Sequence, residues 1–184
     1  MSDVILEMAE KMDKSVDAFK VELAKVRTGR ASISIVDGIM VDAYGSSMPL
    51  NQVGTLTIPE SRMIAIQPWD VQMVPAIEKA ILKSDVGLTP ISDGKIVRLN
   101  IPQLTEERRK DLVKQVKKVA EEFRVAVRNI RREAIDILKK QKKDKEISED
   151  DLFRLQDEAQ SETDAYIKLI DEATVAKEGE VMEV

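Results

Sequence analysis

Cysteine and histidine are both absent from the 184-residue chain, and aromatic residues make up only 3% of it. The chain therefore lacks the commonest general base, the commonest metal ligand and the thiol nucleophile, and it has no disulfide framework. Few aromatic side chains predict an aliphatic core and disfavour base stacking on single-stranded nucleic acid. These absences argue against most kinds of enzyme active site.

Long apolar runs and a basic leader are also missing. No apolar stretch approaches the ~20 residues that span a bilayer. The N-terminal "MSDVILEMAEKMDK" has no basic segment followed by an apolar one, which a signal peptide would have. Because the lack of disulfides suits a reducing compartment, we expect a soluble cytoplasmic protein with no metal or other cofactor.

A strong helical periodicity is present in three segments. Apolar residues recur every three or four positions over residues 3–27, 105–143 and 149–178, which is the spacing of amphipathic helices. The first seam is Ile5, Met8, Met12, Val16, Phe19, Leu23 and Val26. The second is Leu112, Val116, Val119, Phe123, Val127, Ile130, Ala134 and Ile137. The third is Leu152, Leu155, Ala159, Tyr166, Ile170 and Ala173. Three such helices predict a three-helix bundle.

Residues 31–103 differ in composition, because all six prolines and five of the seven glycines lie there. Four stretches alternate as strands do, a helix fits at 74–84, and Asp93-Gly94 predicts a tight turn. The predicted strands are "GIMVDAYG", "VGTLTI", "RMIAIQP" and "KIVRLNI". We predict an α+β fold in which an elongated three-helix bundle (1–29 and 105–184) carries an inserted small β/α/β domain (31–103).

The chain crosses between these two predicted domains twice, at 27–32 and at 100–105. Gly29 fits the end of one helix, and Pro102 precedes the start of another. Two short crossings predict a hinge, although a rigid elbow would have the same sequence.

The acidic stretch "EISEDD" at 146–151 has two interpretations. Its carboxylates resemble a metal site. However, Ser148 followed by acidic residues is typical of a helix N-cap, because negative charge is favoured in the first turn. We favour the cap.

Charge is distributed unevenly along a chain whose formal net charge is −5. Residues 105–145 carry 15 basic and 8 acidic side chains, whereas residues 146–184 carry 3 and 13. At 100° per residue, seven bases of the second helix fall in a sector about 100° wide beside the apolar seam. They are Lys110, Lys114, Lys117, Arg124, Arg128, Arg131 and Arg132. One acid, Glu121, lies among them.

This basic sector has three interpretations. Ion pairs with the acidic third helix would make it an ordinary solvated face. Like charges four residues apart, as at Arg124 and Arg128, destabilise a helix, whereas the planar fork of arginine suits phosphate. We therefore favour binding to the backbone of a structured RNA. The alternative is a coiled-coil-type interaction protein whose basic helix pairs with an acidic protein partner; it predicts self-association or a protein partner, whereas we expect a monomer.

An enzyme is disfavoured because the sequence has no Gly-rich phosphate loop, nucleophile elbow or ligand cluster.

Four stretches together closely resemble the bacterial ribosome recycling factor family. They are "RTGRAS" (27–32), "LTEERRKDLVK" (104–114), "RVAVRNIRRE" (124–133) and "KDKEISEDD" (143–151). The resemblance covers essentially the whole chain. It implies an L-shaped translation factor that binds the post-termination ribosome and, with elongation factor G and GTP, splits it into subunits for recycling. It implies no enzymatic activity and no binding to DNA or membrane.

The resemblance also implies roles for particular residues. Bases on the long second helix would contact large-subunit RNA, and Arg131 is our first choice. The family's arginines correspond to Arg109, Arg128 and Arg131, with Arg124 and Arg132 as neighbours. Lys110 and Lys117 of the basic sector complete the candidate RNA-binding set. The Arg-Thr-Gly-Arg turn would mark the hinge, which is assigned to Arg27, Thr28, Gly29, Arg30 and Pro102. Elongation factor G would push on the inserted domain.

Overall fold

The computed structural model describes residues 2–183 and confirms the predicted α+β fold. The chain forms two compact units. The helical unit contains the chain up to Thr28 and from Thr105 onward, and the inserted unit contains Gly29–Leu104. The helices are α1 (Asp3–Ala24), α2 (Val74–Lys83), α3 (Glu106–Lys143) and α4 (Glu149–Met182). In the described range, no helix combines the length and the apolar character needed to cross a membrane.

The first helix packs as its periodicity predicts. All seven residues of its predicted seam are buried, although α1 ends at Ala24 and Val26 lies in the turn after it. Phe19 is fully buried, and its ring centroid lies 5.4 Å from that of Phe123 on α3. This pair joins the two helices with an aromatic contact in a core that is otherwise mostly aliphatic.

The predicted seam of α3 is correct except at its C-terminal end. Ile137 is 43% exposed, and Leu138 is fully buried in its place. The prediction was wrong because an α-helix has 3.6 residues per turn, so no fixed spacing keeps residues on one face. The buried position after Ala134 comes four residues later and not three. The other predicted seam residues of α3 are buried or half-buried.

Two buried threonines belong to the seam of α4 and were not predicted. Thr163 and Thr174 are at most 4% exposed. Their hydroxyls donate to the carbonyl oxygens of Ala159 (2.6 Å) and Ile170 (2.7 Å), so neither hydroxyl is left unpaired. A threonine that bonds one turn back in its own helix presents its methyl group to the core, which a polar-apolar pattern does not show.

The inserted unit consists of two antiparallel sheets and α2. The strands are β1 (Met40–Ala43), β2 (Ser46–Pro49), β3 (Gly54–Glu60), β4 (Met63–Pro68), β5 (Pro90–Ser92) and β6 (Val97–Asn100). β1 and β2 form one sheet, and the other has the order β3-β4-β6-β5. Ile64, Ile66 and Leu99 from the larger sheet pack with Ile77 and Ile81 of α2. The unit therefore has a core of its own.

The sequence did not predict β2 and β5. β2 contains two adjacent serines, and β5 is three residues long and begins with Pro90. Proline is tolerated at the first position of an edge strand, where it interrupts no ladder. Both strands therefore depend on pairing with a neighbour and not on their own composition.

The tight turn predicted at Asp93-Gly94 is confirmed and joins β5 to β6. Gly94 has φ +87°, a conformation that favours glycine. The Asp93 carboxylate accepts from the backbone N–H groups of Ile96 and Lys95 (both 3.0 Å) and from Arg98 Nη1 (3.0 Å). In that order of importance, these donors lower the pKa of Asp93 to about 2.

We expect the Asp93 carboxyl to titrate near pH 2 in the folded protein. A lowered pKa means that the turn contributes stability above the ordinary value of 3.8 and loses it as the pH falls through about 2. NMR carboxyl shifts measure the midpoint. Arg98→Ala should raise it only in part, because the backbone donors remain. A midpoint near 3.8 in the unmodified protein would contradict this account.

The favoured interpretation of "EISEDD" is confirmed. The Ser148 hydroxyl accepts from the Asp151 backbone N–H (3.0 Å), and the Asp151 carboxylate accepts from the Ser148 N–H (3.3 Å). This reciprocal pair is a capping box at the start of α4.

Candidate RNA-binding surface

Helix α3 carries the seven bases of the predicted 100° sector. We call them the basic row: Lys110, Lys114, Lys117, Arg124, Arg128, Arg131 and Arg132. α3 has 38 residues and begins at the N-cap Thr105, whose hydroxyl accepts from the Arg108 N–H (3.2 Å). Its length is about 57 Å at 1.5 Å per residue. The row therefore lies on one regular element that packs against both α1 and α4.

Burial varies across the basic row in the way that helix geometry requires. Arg124 and Arg131 lie about 20–60° from the buried positions Ala120 and Val127. Both arginines are half-buried, whereas Lys110, Lys114, Lys117 and Arg132 are exposed. The side chain of Arg128 lies between these groups at 41% exposure. The row therefore extends from the border with α4 out to solvent.

Arg124 forms an ion-pair cluster that links α3 to α4. Its Nε donates to Asp171 Oδ1 (2.7 Å), and its Nη1 donates to Glu121 Oε2 (3.1 Å). Burial alone would lower the pKa of Arg124, but the bonds to Asp171 and Glu121 outweigh it and the pKa is raised. Two carboxylates therefore offset much of the charge of Arg124, whose side chain is only 22% exposed.

Glu121 also binds Arg128. Its Oε1 accepts from Arg128 Nη1 (3.1 Å) while Oε2 accepts from Arg124. These two hydrogen bonds lower the pKa of Glu121 and keep it ionised, and the bond from Arg124 has the larger effect. One acid within the row therefore relieves the repulsion between two arginines four residues apart.

Arg131 is held by an amide and not by a carboxylate. Its Nη1 donates to Gln160 Oε1 on α4, and Gln160 Nε2 donates to Asp164 Oδ1 (2.8 Å). The Arg131 Nε is buried and has no hydrogen-bond partner among residues 2–183. The guanidinium is therefore anchored to α4 through a neutral amide.

The remaining bases have only local partners or none that is described. Arg132 Nη1 lies 3.5 Å from Asn129 Oδ1, and Lys110 pairs with Glu106 at 2.8 Å. Exposed pairs of this kind contribute little stability in water, so these side chains are available to a ligand. Arg109 is half-buried at the start of α3.

The sequence identified the basic row but not the groups that hold it. Asp171, Gln160 and Asp164 all lie on α4, and contacts between helices depend on their relative rotation, which sequence spacing does not give. Glu121 was noticed within the row, and its spacing of three from Arg124 could have predicted that pair.

The predicted hinge residues are divided between the two units. Arg27 and Thr28 end the first part of the helical unit, and Gly29, Arg30 and Pro102 belong to the inserted unit. Gly29 has φ +75°, and a Cβ at this position would lie 3.3 Å from the Leu104 side chain. A side chain there would be strained. Whether the crossing bends stays a prediction.

No group of three or more acidic side chains able to hold a metal occurs among residues 2–183.

Comparison with known proteins gives a consistent result over the full length. Residues 19–182 match the model of the family described as Ribosome recycling factor. The chain is 76% identical to the ribosome-recycling factor of Desulfotalea psychrophila, with 100% of both chains covered. It is 53% identical to that of Nitratidesulfovibrio vulgaris, with 100% of this chain and 99% of the relative covered.

Two solved structures are also similar. A solution structure of the ribosome recycling factor has a TM-score of 0.77 at 44% identity, covering 99% of this chain and 97% of that one. The other describes the T. thermophilus ribosome recycling factor and the E. coli elongation factor G bound to the E. coli post-termination complex. Its TM-score is 0.64 at 45% identity, with 98% of each chain covered.

Proposed function

Because the chain belongs to the ribosome recycling factor family, we propose that it binds the post-termination ribosome and, with elongation factor G and GTP, splits it into subunits. The observation that carries this proposal is the full-length match to recycling factors, at 76% and 53% identity for the two relatives above. A relative of the same fold is described with elongation factor G on the post-termination complex. Since ribosomes are its target, the protein acts in the cytoplasm.

The basic row is the surface that contacts large-subunit RNA. Arginine suits this role because its planar fork pairs with phosphate oxygens in two hydrogen bonds. Arg131 is the first candidate, and it lies beside Arg128, which is partly exposed and paired with Glu121, and Arg132, which is exposed. Lys110 and Lys117 extend the same surface toward the start of α3, and Arg124 supports it from the border with α4. Arg109, at the start of α3, is a further candidate outside the basic row.

The mechanism is mechanical, and the protein catalyses no bond-making or bond-breaking step. Its helical unit occupies a site on the large subunit, while elongation factor G supplies force through GTP hydrolysis and acts on the inserted unit. A bundle with a close-packed core transmits force with little deformation. The crossings at 27–32 and 100–105 provide the hinge between the two units.

The alternative of a coiled-coil-type interaction protein is less well supported. A basic helix that pairs with an acidic partner needs an apolar seam that the partner can cover. On α3 that seam is already buried, with Val116, Ala120 and Val127 fully covered. Within the bundle, α4 supplies the acidic partner through Asp171. We therefore expect a monomer in sedimentation.

The proposed function is tested by light scattering of post-termination ribosomes. We expect scattering to fall, as subunits separate, only when this protein, elongation factor G and GTP are all present. Omitting each component in turn provides the controls. Unchanged scattering with the complete mixture would contradict the proposal.

A further inference from the structure

The arginines of the basic row differ in the chemistry of the groups that hold them. Arg124 donates to the carboxylates of Asp171 and Glu121, and Arg128 donates to that of Glu121. These carboxylates offset the positive charge of the two arginines. Arg131 donates to the neutral amide oxygen of Gln160. A phosphate approaching Arg131 therefore does not compete with a carboxylate bound to the same guanidinium.

The orientation of the Gln160 amide is fixed by a third residue. Asp164 lies one turn further along α4, and its carboxylate oxygens accept hydrogen bonds. The Nε2 group of Gln160 must therefore face Asp164, as the 2.8 Å contact shows. This leaves Oε1 as the acceptor that faces Arg131.

We propose that Gln160 is a positioning residue that holds the Arg131 guanidinium ready for an RNA phosphate without neutralising its charge. The inference rests on the proposed function, in which Arg131 contacts large-subunit RNA. An arginine side chain loses much rotamer freedom when it is immobilised, and a side chain already held in place loses less on binding. A neutral holder gives this advantage and leaves the positive charge for the ligand.

Two substitutions separate positioning from charge. Gln160→Leu removes the acceptor, and we expect binding to large ribosomal subunits to weaken about three- to tenfold, the range given by ordering one long side chain. Gln160→Glu keeps the shape but places a carboxylate against Arg131. We expect it to weaken binding about tenfold or more at low salt, because the new charge competes with phosphate.

A double-mutant cycle tests whether Gln160 acts through Arg131. If it does, Gln160→Leu causes no further loss of affinity in an Arg131→Ala background. Gln115→Glu is the matched control, because it adds the same charge at an exposed position of α3 that shares a face with Asp111 and Glu122 and lies outside the basic row. We expect this control to bind as the unmodified protein does. Circular dichroism and melting temperature confirm that each variant is folded.

Each result has a defined meaning. If Arg131→Ala weakens binding and Gln160→Leu does not, the positioning role is wrong and the proposed function stands. If the losses from Arg131→Ala and Gln160→Leu simply add, Gln160 acts independently of Arg131 and the inference is again overturned. If Arg131→Ala binds normally, the assignment of Arg131 as an RNA contact fails and the inference fails with it.

Discussion

Replacing Arg131 by alanine should weaken binding to the large ribosomal subunit by roughly 10- to 100-fold while the protein stays folded. A hydrogen bond to a charged group contributes about 1.5–3 kcal/mol, and each 1.4 kcal/mol corresponds to about a tenfold change in affinity. The fold should tolerate the change because, within the part of the chain that the structure describes, the Arg131 Nε has no partner to lose and Nη1 donates to the exposed Gln160. Co-sedimentation with purified large subunits measures the affinity.

Two further variants make the Arg131 result specific. Arg154→Ala removes the same charge from an exposed side chain that pairs with Asp151 on α4, and we expect it to bind normally. Arg131→Lys keeps the charge but loses the planar fork, so an intermediate affinity is expected. Equal losses from Arg131→Ala and Arg154→Ala would show that net charge matters and that the position does not.

Replacing Phe19 by alanine should destabilise the helical unit by about 3–5 kcal/mol, the range for removing a buried phenylalanine side chain. Phe19 is fully buried on α1, and its ring packs against Phe123 of α3 at 5.4 Å. The substitution removes both the buried area and the aromatic contact. Urea unfolding followed by the helical circular dichroism signal measures the loss.

Phe153→Ala is the matched control for Phe19→Ala. Phe153 lies on α4 and is 59% exposed, so the same chemical change should alter the free energy of unfolding by less than about 0.5 kcal/mol. Similar losses for the two variants would contradict the assignment of Phe19 to the core. Ribosome binding by Phe19→Ala should fall only as far as the folded fraction falls.

The helices were predictable because their signals are local and repeated. Seven apolar residues at helical spacing specified the buried face of α1, and Thr105 and Ser148 specified where α3 and α4 begin. The short strands were harder, because β5 is held by its pairing with β6 and not by its own three residues. Thr163 and Thr174 were missed because their burial depends on hydrogen bonds within α4.

The candidate site likewise has one part that the sequence predicts and another that depends on contacts between helices. The basic row follows from 100° per residue along one helix, so its members could be named from the sequence. The holders of Arg124 and Arg131 could not, because Asp171 and Gln160 lie 47 and 29 residues away on another helix. Sequence spacing does not specify how two packed helices are rotated relative to one another, and this rotation decides which arginine meets a carboxylate.

An acidic protein that binds RNA needs its positive charge concentrated on one surface. The formal net charge is −5, yet six of the eleven arginines lie on α3. Acidic side chains elsewhere, including eleven on α4 against three basic ones there, repel RNA and disfavour indiscriminate contact. The basic row therefore determines the orientation in which this protein meets a nucleic acid.

The salt dependence of binding to large ribosomal subunits tests this account most directly. If several arginines and lysines of the basic row neutralise phosphates, the logarithm of the affinity falls linearly and steeply as the logarithm of the salt concentration rises. Arg131→Ala should make that slope shallower by about one unit, the contribution of a single phosphate contact. An affinity for large subunits that does not change with salt would contradict the assignment of the basic row to RNA.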